Sequence, residues 1–340
     1  MSDKKNIIMD TLKHIEINIW KACNNKCIFC MSYEHNDRDN NLVKFNDIKN
    51  DLKNYSDLGY DSIWFLWWDI SIHPEIIDIF SYCKSLWFKS IQCISNGMKF
   101  SDYNFTLAIL KAGMTRINIS IHSHIDSVED SLTQIPGWLE KKLKAIDNLN
   151  KFSNEGMLKS NLSINIVLNK KNLPSILETI IFFKLKKNIK DIRINFVRLT
   201  YDIEKYFSDL EIKYIDIIPY FKKIDYISKK YDIRITFDWV PACIIYNSFK
   251  SDNPWEKVSK YLWETYDNIN EIFWFNKKEK FNRKQRKEDD LKYKWLRCKK
   301  CKYFDICEWV WREYVELHWF KEFKAILDLN KKIMEKGRKI

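Results

Sequence analysis

The stretch that decides the fold is His14-Ile-Glu-Ile-Asn-Ile-Trp20, followed by Lys21-Ala22-Cys23-Asn24-Asn25-Lys26-Cys27-Ile28-Phe29-Cys30. Its first seven residues form a β-branched-rich run of strand length. The three cysteines that follow are spaced C-x3-C-x2-C in one loop. Three thiolates from one loop can hold three irons of a [4Fe–4S] cluster and leave the fourth iron open to another ligand. A structural zinc site wants four ligands, commonly in C-x2-C pairs. No nearby Cys or His completes such a set, because His14 and His35 are poorly spaced. A disulfide is disfavoured in a reducing compartment, so the loop reads as a cluster site.

Outward from this loop, strand-like and helix-like segments alternate to about residue 198. Strands are predicted at 14–20, 61–66, 90–95, 116–121, 161–168 and 191–197, with helices near 44–57, 75–86, 102–112, 139–153 and 173–186. Near-continuous apolar strands joined by helical crossovers predict an α/β fold with a parallel sheet. Six such units predict a partial (β/α)6 barrel of TIM type over residues 1–200. Residues 201–340 read as a C-terminal extension. It holds a long helix over 211–230, a strand at 232–238, a polar basic stretch over 250–292, and a cysteine-rich segment before helices from about 309 to 336.

The 340 residues are 46% hydrophobic, enough for one large core or a core plus an appendage. No apolar run reaches membrane-spanning length, and residues 1–14 lack the pattern of a signal peptide. A cytoplasmic location is expected, with the nine cysteines serving as metal or cluster ligands rather than disulfides. The net charge of +12 is densest at Lys277–Lys287, read as a solvated face with contact to an acidic partner as the alternative. Aromatic and basic residues do not alternate as a single-strand nucleic-acid surface requires.

Glycine is anomalous. The chain has six glycines and 14 tryptophans, where average usage would give roughly 24 glycines. Several tryptophans stand where glycine makes physical sense: Trp67 and Trp68 in the loop after the second strand, Trp87 between a helix and a strand, Trp138 after Pro136-Gly137, Trp309 two residues past a cysteine, and Trp319. A gene whose UGA codons mean glycine, translated with a table that reads UGA as tryptophan, would produce this pattern. A Trp-rich protein is the alternative.

The motif resembles that of the radical S-adenosylmethionine (SAM) superfamily, C-x3-C-x-φ-C with φ aromatic, and Phe29 fills the aromatic place. The resemblance implies that Cys23, Cys27 and Cys30 hold a [4Fe–4S] cluster and that SAM binds its open iron. One-electron cleavage then releases a 5′-deoxyadenosyl radical that takes hydrogen from substrate. The family's Gly-Gly-Glu loop aligns with Trp67-Trp68-Asp69, where two indoles would fill space the cofactor needs. Ser95-Asn96-Gly97 aligns with its Thr-Asn-Gly. Ser120 matches a SAM-contacting serine, and Arg198 would meet the SAM carboxylate or substrate. All these positions fall at strand C-terminal ends, where (β/α) barrels place their active sites.

Cys298-x2-Cys301-x5-Cys307, with Cys243 as a fourth ligand, resembles the auxiliary-cluster domains called SPASM or twitch and implies a second [4Fe–4S] cluster. A structural zinc knot is the alternative. Cys83 and Cys93 fall in apolar patterns and read as core thiols. His122 and His124 either line the cavity or are loop histidines. The resemblance implies an oxidoreductase or maturase acting on a peptide or small molecule, fed by an electron donor such as flavodoxin or ferredoxin. An RNA-modifying enzyme and a non-catalytic metal-binding scaffold are the alternative readings.

Overall fold

The computed structural model describes residues 13–20, 22–31, 42–66, 69–160, 162–250, 253–262, 271–274, 279–282, 290–307 and 309–327. Seven parallel strands follow one another in space: β1 (His14–Asn18), β2 (Ser62–Phe65), β3 (Ser90–Ser95), β4 (Arg116–Ser120), β5 (Ser163–Leu168), β6 (Asp191–Phe196) and β7 (Arg234–Asp238). Crossover helices link them: α1 (Phe45–Asp57), α2 (Ile76–Ser85), α3 (Tyr103–Lys111), α4 (Asp126–Thr133) with α5 (Trp138–Asn154), α6 (Ile176–Lys187) and α7 (Tyr214–Lys230). The partial α/β barrel is present, with one strand more than the sequence pattern implies. The segment at 232–238, assigned above to the extension, is β7, paired in parallel with β6. At the other edge, β8 (Glu271–Trp274) pairs in parallel with β1 and antiparallel with β9 (Glu279–Asn282). The polar stretch at 250–292 thus adds strands to the sheet.

The barrel strands are not uniformly apolar as expected; they alternate. Ile15 and Ile17, Ile63 and Phe65, Ile117 and Ile119, Ile164 and Ile166, and Ile192 and Ile194 are fully buried, as a pleat with one face under helices requires. The opposite face carries Glu16, Gln92, Asn118, Asn165, Arg193 and Thr236, also buried. Trp64 on β2 lies 5.9 Å from the Arg116 guanidinium on β4 and 6.0 Å from that of Arg193 on β6. Contacts across that many strands are possible only inside a curled sheet, so this face is the lumen and the lumen is polar. Both faces are buried, which hides the alternation from a count of buried positions.

Cys83 and Cys93 are buried core thiols, as expected. The C-terminal segment folds back on the barrel. Its elements β10 (Lys292–Tyr293), β11 (Val310–Trp311) and α8 (Arg312–His318) dock through Tyr314, whose hydroxyl accepts the Tyr214 N–H at 3.1 Å.

Candidate functional site

The cysteine loop leaves β1 at its C-terminal end and is anchored on the end of α4. The Lys26 N–H donates to the Thr133 carbonyl at 3.1 Å and the Ile28 N–H to the Leu132 carbonyl at 3.0 Å. Cys23, Cys27 and Cys30 are all partly exposed at this loop. The Asn25 N–H points at Cys23 Sγ (3.4 Å), the Asn25 side-chain amide at Cys27 Sγ (3.5 Å) and that of Asn96 at Cys23 Sγ (3.9 Å). Burial pushes the Cys23 thiol up to about 12, with Asp69 and Cys27 adding to the rise. Burial likewise raises Cys27 to about 12 although the Lys142 charge opposes it. Thiols held this high are protonated near neutrality, so they become thiolates only when a cation arrives to replace the lost solvation. Amide donors already aimed at the sulfurs fit that cation being an iron–sulfur cluster.

Asp69, Ser95 and Asn96 come together beside this loop. Asp69 is buried, and its Oδ1 accepts from Ser71 N–H (3.0 Å), Ser71 Oγ (2.6 Å) and Ser95 Oγ (2.9 Å), while Oδ2 accepts the Asn96 N–H (3.3 Å). The Asp69 N–H donates to the Ala22 carbonyl at 3.0 Å. Burial nevertheless raises the Asp69 carboxyl above its ordinary range. This carboxylate thus ties the ends of β2 and β3 to the cysteine loop. Asn96 extends the tie, donating to Asn24 Oδ1 at 2.5 Å. Trp67 and Trp68 lie outside the described residues.

Phe29 is packed edge-on against His122, centroids 4.5 Å apart. The His122 Nδ1 accepts the Val167 N–H at 3.1 Å, which leaves the ring proton on Nε2. Desolvation lowers His122 to about 4. His122 is buried support for the cysteine loop, whereas the partly exposed His124 hydrogen-bonds Thr179. In the unfolded chain His122 titrates near 6.5, so between about 6.5 and 4 the unfolded state binds the extra proton and stability rises with pH. The shift corresponds to about 3 kcal/mol lost on acidification across that window. Replacing His122 by Gln should flatten the pH dependence of chemical denaturation between 4 and 6.5; an unchanged slope would contradict this assignment.

The carbonyl of Ser120 accepts from Lys142 Nζ at 3.1 Å, and its side chain is partly exposed. Arg198 forms a two-point ion pair with Glu313, its Nη2 2.6 Å from Oε1, and stacks on Trp311 at 4.4 Å. The side chain read as a carboxylate ligand therefore grips a carboxylate of the C-terminal segment. Sequence reasoning missed this pair because the partners are 115 residues apart. It also missed the polar acceptors of the lumen. Asn118 Oδ1, Asn195 Oδ1 and Asp238 Oδ1 are buried and receive no hydrogen bond from the chain. Alternation along the strands was the signal that would have revealed them.

The four remaining site cysteines, Cys243, Cys298, Cys301 and Cys307, line one cavity of about 30 Å³. Backbone N–H groups are aimed at their sulfurs: Lys324 at Cys243, Ala242 and Trp309 at Cys307, and Ile326 at Cys301 (3.4 Å). Burial raises Cys243, Cys307 and Cys298. Among the described residues no three His, Cys, Asp or Glu side chains close on a single ion, in this group or in the Cys23, Cys27 and Cys30 loop; the sulfurs of each group share a space rather than a point. An adjoining groove of about 800 Å³ is lined by Arg297, Lys299, Lys300, Lys321 and Lys324 with no acidic residue. No helix among the described residues is long and apolar enough to cross a membrane.

Residues 17–182 match the family model described as the radical SAM superfamily. A probable GTP 3′,8-cyclase of Methanococcus maripaludis is 21% identical over 202 residues, spanning 57% of this chain and 67% of that protein. Streptococcus suis SuiB, solved bound to S-adenosylmethionine, superposes with a TM-score of 0.62 at 15% identity, covering 96% of this chain and 79% of SuiB. The anSMEcpe protein, solved with bound AdoMet, gives 0.61 at 13% identity over 96% of this chain and all of its own. At these identities the structural likeness speaks to the fold. The barrel order and the position of the three-cysteine loop agree with that match: residues 17–182 are similar to the radical SAM superfamily.

Proposed function

We propose that this protein is a radical SAM oxidoreductase or maturase that takes a hydrogen atom from a peptide substrate. The observation that carries the reading is the three-cysteine loop at the barrel mouth, pinned by Asp69, Asn96 and α4 with amide donors turned to its sulfurs. When bound, the cluster and SAM supply a 5′-deoxyadenosyl radical by one-electron cleavage of the C5′–S bond. The chain's own residues do the rest. Cys23, Cys27 and Cys30 hold three irons. Asp69 and Asn96 set the loop, Ser95 and Ser120 at the strand ends would face the cofactor, and Phe29 would keep water from the cluster on the His122 side. Arg198 holds the C-terminal segment over the mouth through Glu313.

A peptide is favoured by the lumen. Its unpartnered oxygens on Asn118, Asn195 and Asp238 suit a substrate rich in N–H donors, since a buried acceptor left unpaired costs about 1–3 kcal/mol. Two of the structural neighbours, SuiB with the precursor peptide SuiA and anSMEcpe with the Cp18Cys peptide, were solved with peptides. Cys243, Cys298, Cys301 and Cys307 would hold a second [4Fe–4S] cluster, and the basic groove beside them suits an acidic electron carrier such as flavodoxin or ferredoxin.

Anaerobic reconstitution tests the proposal. About eight irons per chain, two clusters of four, and 5′-deoxyadenosine on reduction with SAM are expected. Metal without SAM cleavage would leave a binding scaffold, and zinc alone would end the reading.

A further inference from the structure

All five described glycines, Gly59, Gly97, Gly113, Gly137 and Gly156, have positive φ. Eight other residues share that sign. Three of them, Asn188, Asp232 and Asn253, are of types that tolerate it, and Gln134 is a fourth. The other four are tryptophans: Trp87 (φ 66°), Trp239 (φ 67°), Trp309 (φ 61°) and Trp319 (φ 57°). A bulky side chain there is a genuine outlier, whereas glycine has no Cβ to strain.

The chain contains its own control. Four barrel helices end in the same hydrogen-bonded turn, in which the residue after the cap donates to a carbonyl three back and the next residue to one five back. After α1 the pair is Gly59 to Ser56 (2.9 Å) and Tyr60 to Tyr55 (3.0 Å). After α3 it is Gly113 to Leu110 (3.0 Å) and Met114 to Ile109 (3.2 Å). After α5 it is Gly156 to Ser153 (3.1 Å) and Met157 to Phe152 (2.9 Å). After α2 it is Trp87 to Lys84 (3.1 Å) and Phe88 to Cys83 (3.3 Å). Three of four equivalent positions hold glycine, and the fourth holds an indole that is 88% exposed.

The other three tryptophans point the same way. Trp319 ends α8 with φ 57° and ψ −163°, a region occupied essentially by glycine alone. Trp239 and Trp309 have indole N–H groups that are buried with no acceptor, but so do Trp20, Trp64 and Trp311; what sets 239 and 309 apart is their left-handed backbone.

We propose that residues 87, 239, 309 and 319 are glycine in the natural protein, encoded by UGA read as glycine, so that the second cysteine cavity is walled at 309 by bare backbone. Trp239 carries no such signal in the sequence alone. Its left-handed backbone, one residue past β7 and four before Cys243, assigns it. Trp309 lines the cysteine cavity, and its backbone N–H is one of the donors to Cys307. Glycine there keeps that donor and frees the volume of the indole for a cluster. The consequence for the cavity rests on the second-cluster reading above; the identity of the four residues does not. Recoding acts on codons, so Trp67 and Trp68 fall under the same test.

Two measurements decide it. The first is the gene sequence together with peptide mass spectrometry of the protein from its native host. UGA at all four codons and glycine in the peptides are expected; UGG codons, or tryptophan in the native peptides, overturn the proposal. The second compares the chain as written with its Trp87→Gly, Trp319→Gly and Trp309→Gly variants. Each is expected to melt higher, and Trp309→Gly is expected also to retain more iron after reconstitution. Trp311→Gly serves as the opposite control and should melt lower, because Trp311 has ordinary backbone and packs under Arg198. Lower melting of Trp87→Gly and Trp319→Gly would overturn the assignment. Higher melting with no gain of iron at Trp309→Gly would sink only the cavity's role as a cluster site.

Discussion

Replacing Cys27 by Ala is expected to remove the first cluster and abolish SAM cleavage while leaving the fold in place. Three thiolates are the fewest that keep a four-iron cluster with one iron open. With Cys27 gone, the loop offers only Cys23 and Cys30, one thiolate short of the set. Losing even a supporting hydrogen bond at a metal site typically costs about 10–100-fold in affinity, so losing a ligand should cost more. Iron should fall from about eight to about four per chain, and 5′-deoxyadenosine should drop to background. The Cys27 side chain is only partly buried, and its loop keeps its backbone bonds to α4, so the melting temperature of the metal-free protein should hardly move. Cys83→Ala is the informative contrast: that thiol sits in the core, so stability should fall and iron should not. Unchanged iron and SAM turnover in the Cys27 variant would refute the site.

Lys142→Met is expected to destabilise the fold by about 3–5 kcal/mol, the usual cost of leaving a buried charge uncompensated. Lys142 and Glu129 are both fully buried and 2.6 Å apart. Glu129 also accepts the His122 and Ser123 N–H groups at 2.8 and 2.9 Å. Lys142 also donates to the Ser120 carbonyl. The pair therefore joins α4, α5 and the end of β4 directly beneath the helix end that anchors the cysteine loop. Burial by itself would raise the Glu129 carboxyl, but the Lys142 charge, then His122 and the donated hydrogen bonds, bring it below its ordinary range. A carboxyl lowered on folding contributes stability above its unfolded pKa, about 4.3, and loses it as pH falls through the folded value. The double variant Glu129→Gln/Lys142→Met keeps an acceptor for the two N–H groups and leaves no lone charge. It should recover most of the loss. Chemical denaturation of the single and double variants checks this, and a double variant as unstable as the single would refute it.

How much of this was legible beforehand differs from element to element. The cysteine loop was, because its chemistry lies within eight consecutive residues. The strands β1 to β6 were, because β-branched runs between helix patterns are local signals. Strand β7 was misassigned: an intervening 17-residue helix, α7, with Pro219 inside it, looked like the start of something new. Only the pairing of Asp191–Asn195 with Arg234–Asp238 returns it to the barrel. Arg198 lies two residues past the end of β6, but Glu313, which it grips, is a long-range partner that no window of sequence contains.

By itself, the amino-acid sequence determined that three cysteines follow a first strand, that a parallel α/β sheet comes after, that four more cysteines lie beyond it, and that glycine is scarce where tryptophan is abundant. These are matters of spacing, periodicity and composition, carried by neighbouring residues. Tertiary structure alone decided that the strands curl around a polar lumen, that Asp69 is the knot between two strand ends and the cysteine loop, that four distant cysteines share one cavity, and which tryptophans sit on left-handed backbone. Each of those depends on where the chain returns to itself or on a dihedral angle, and neither is written in any short stretch of residues.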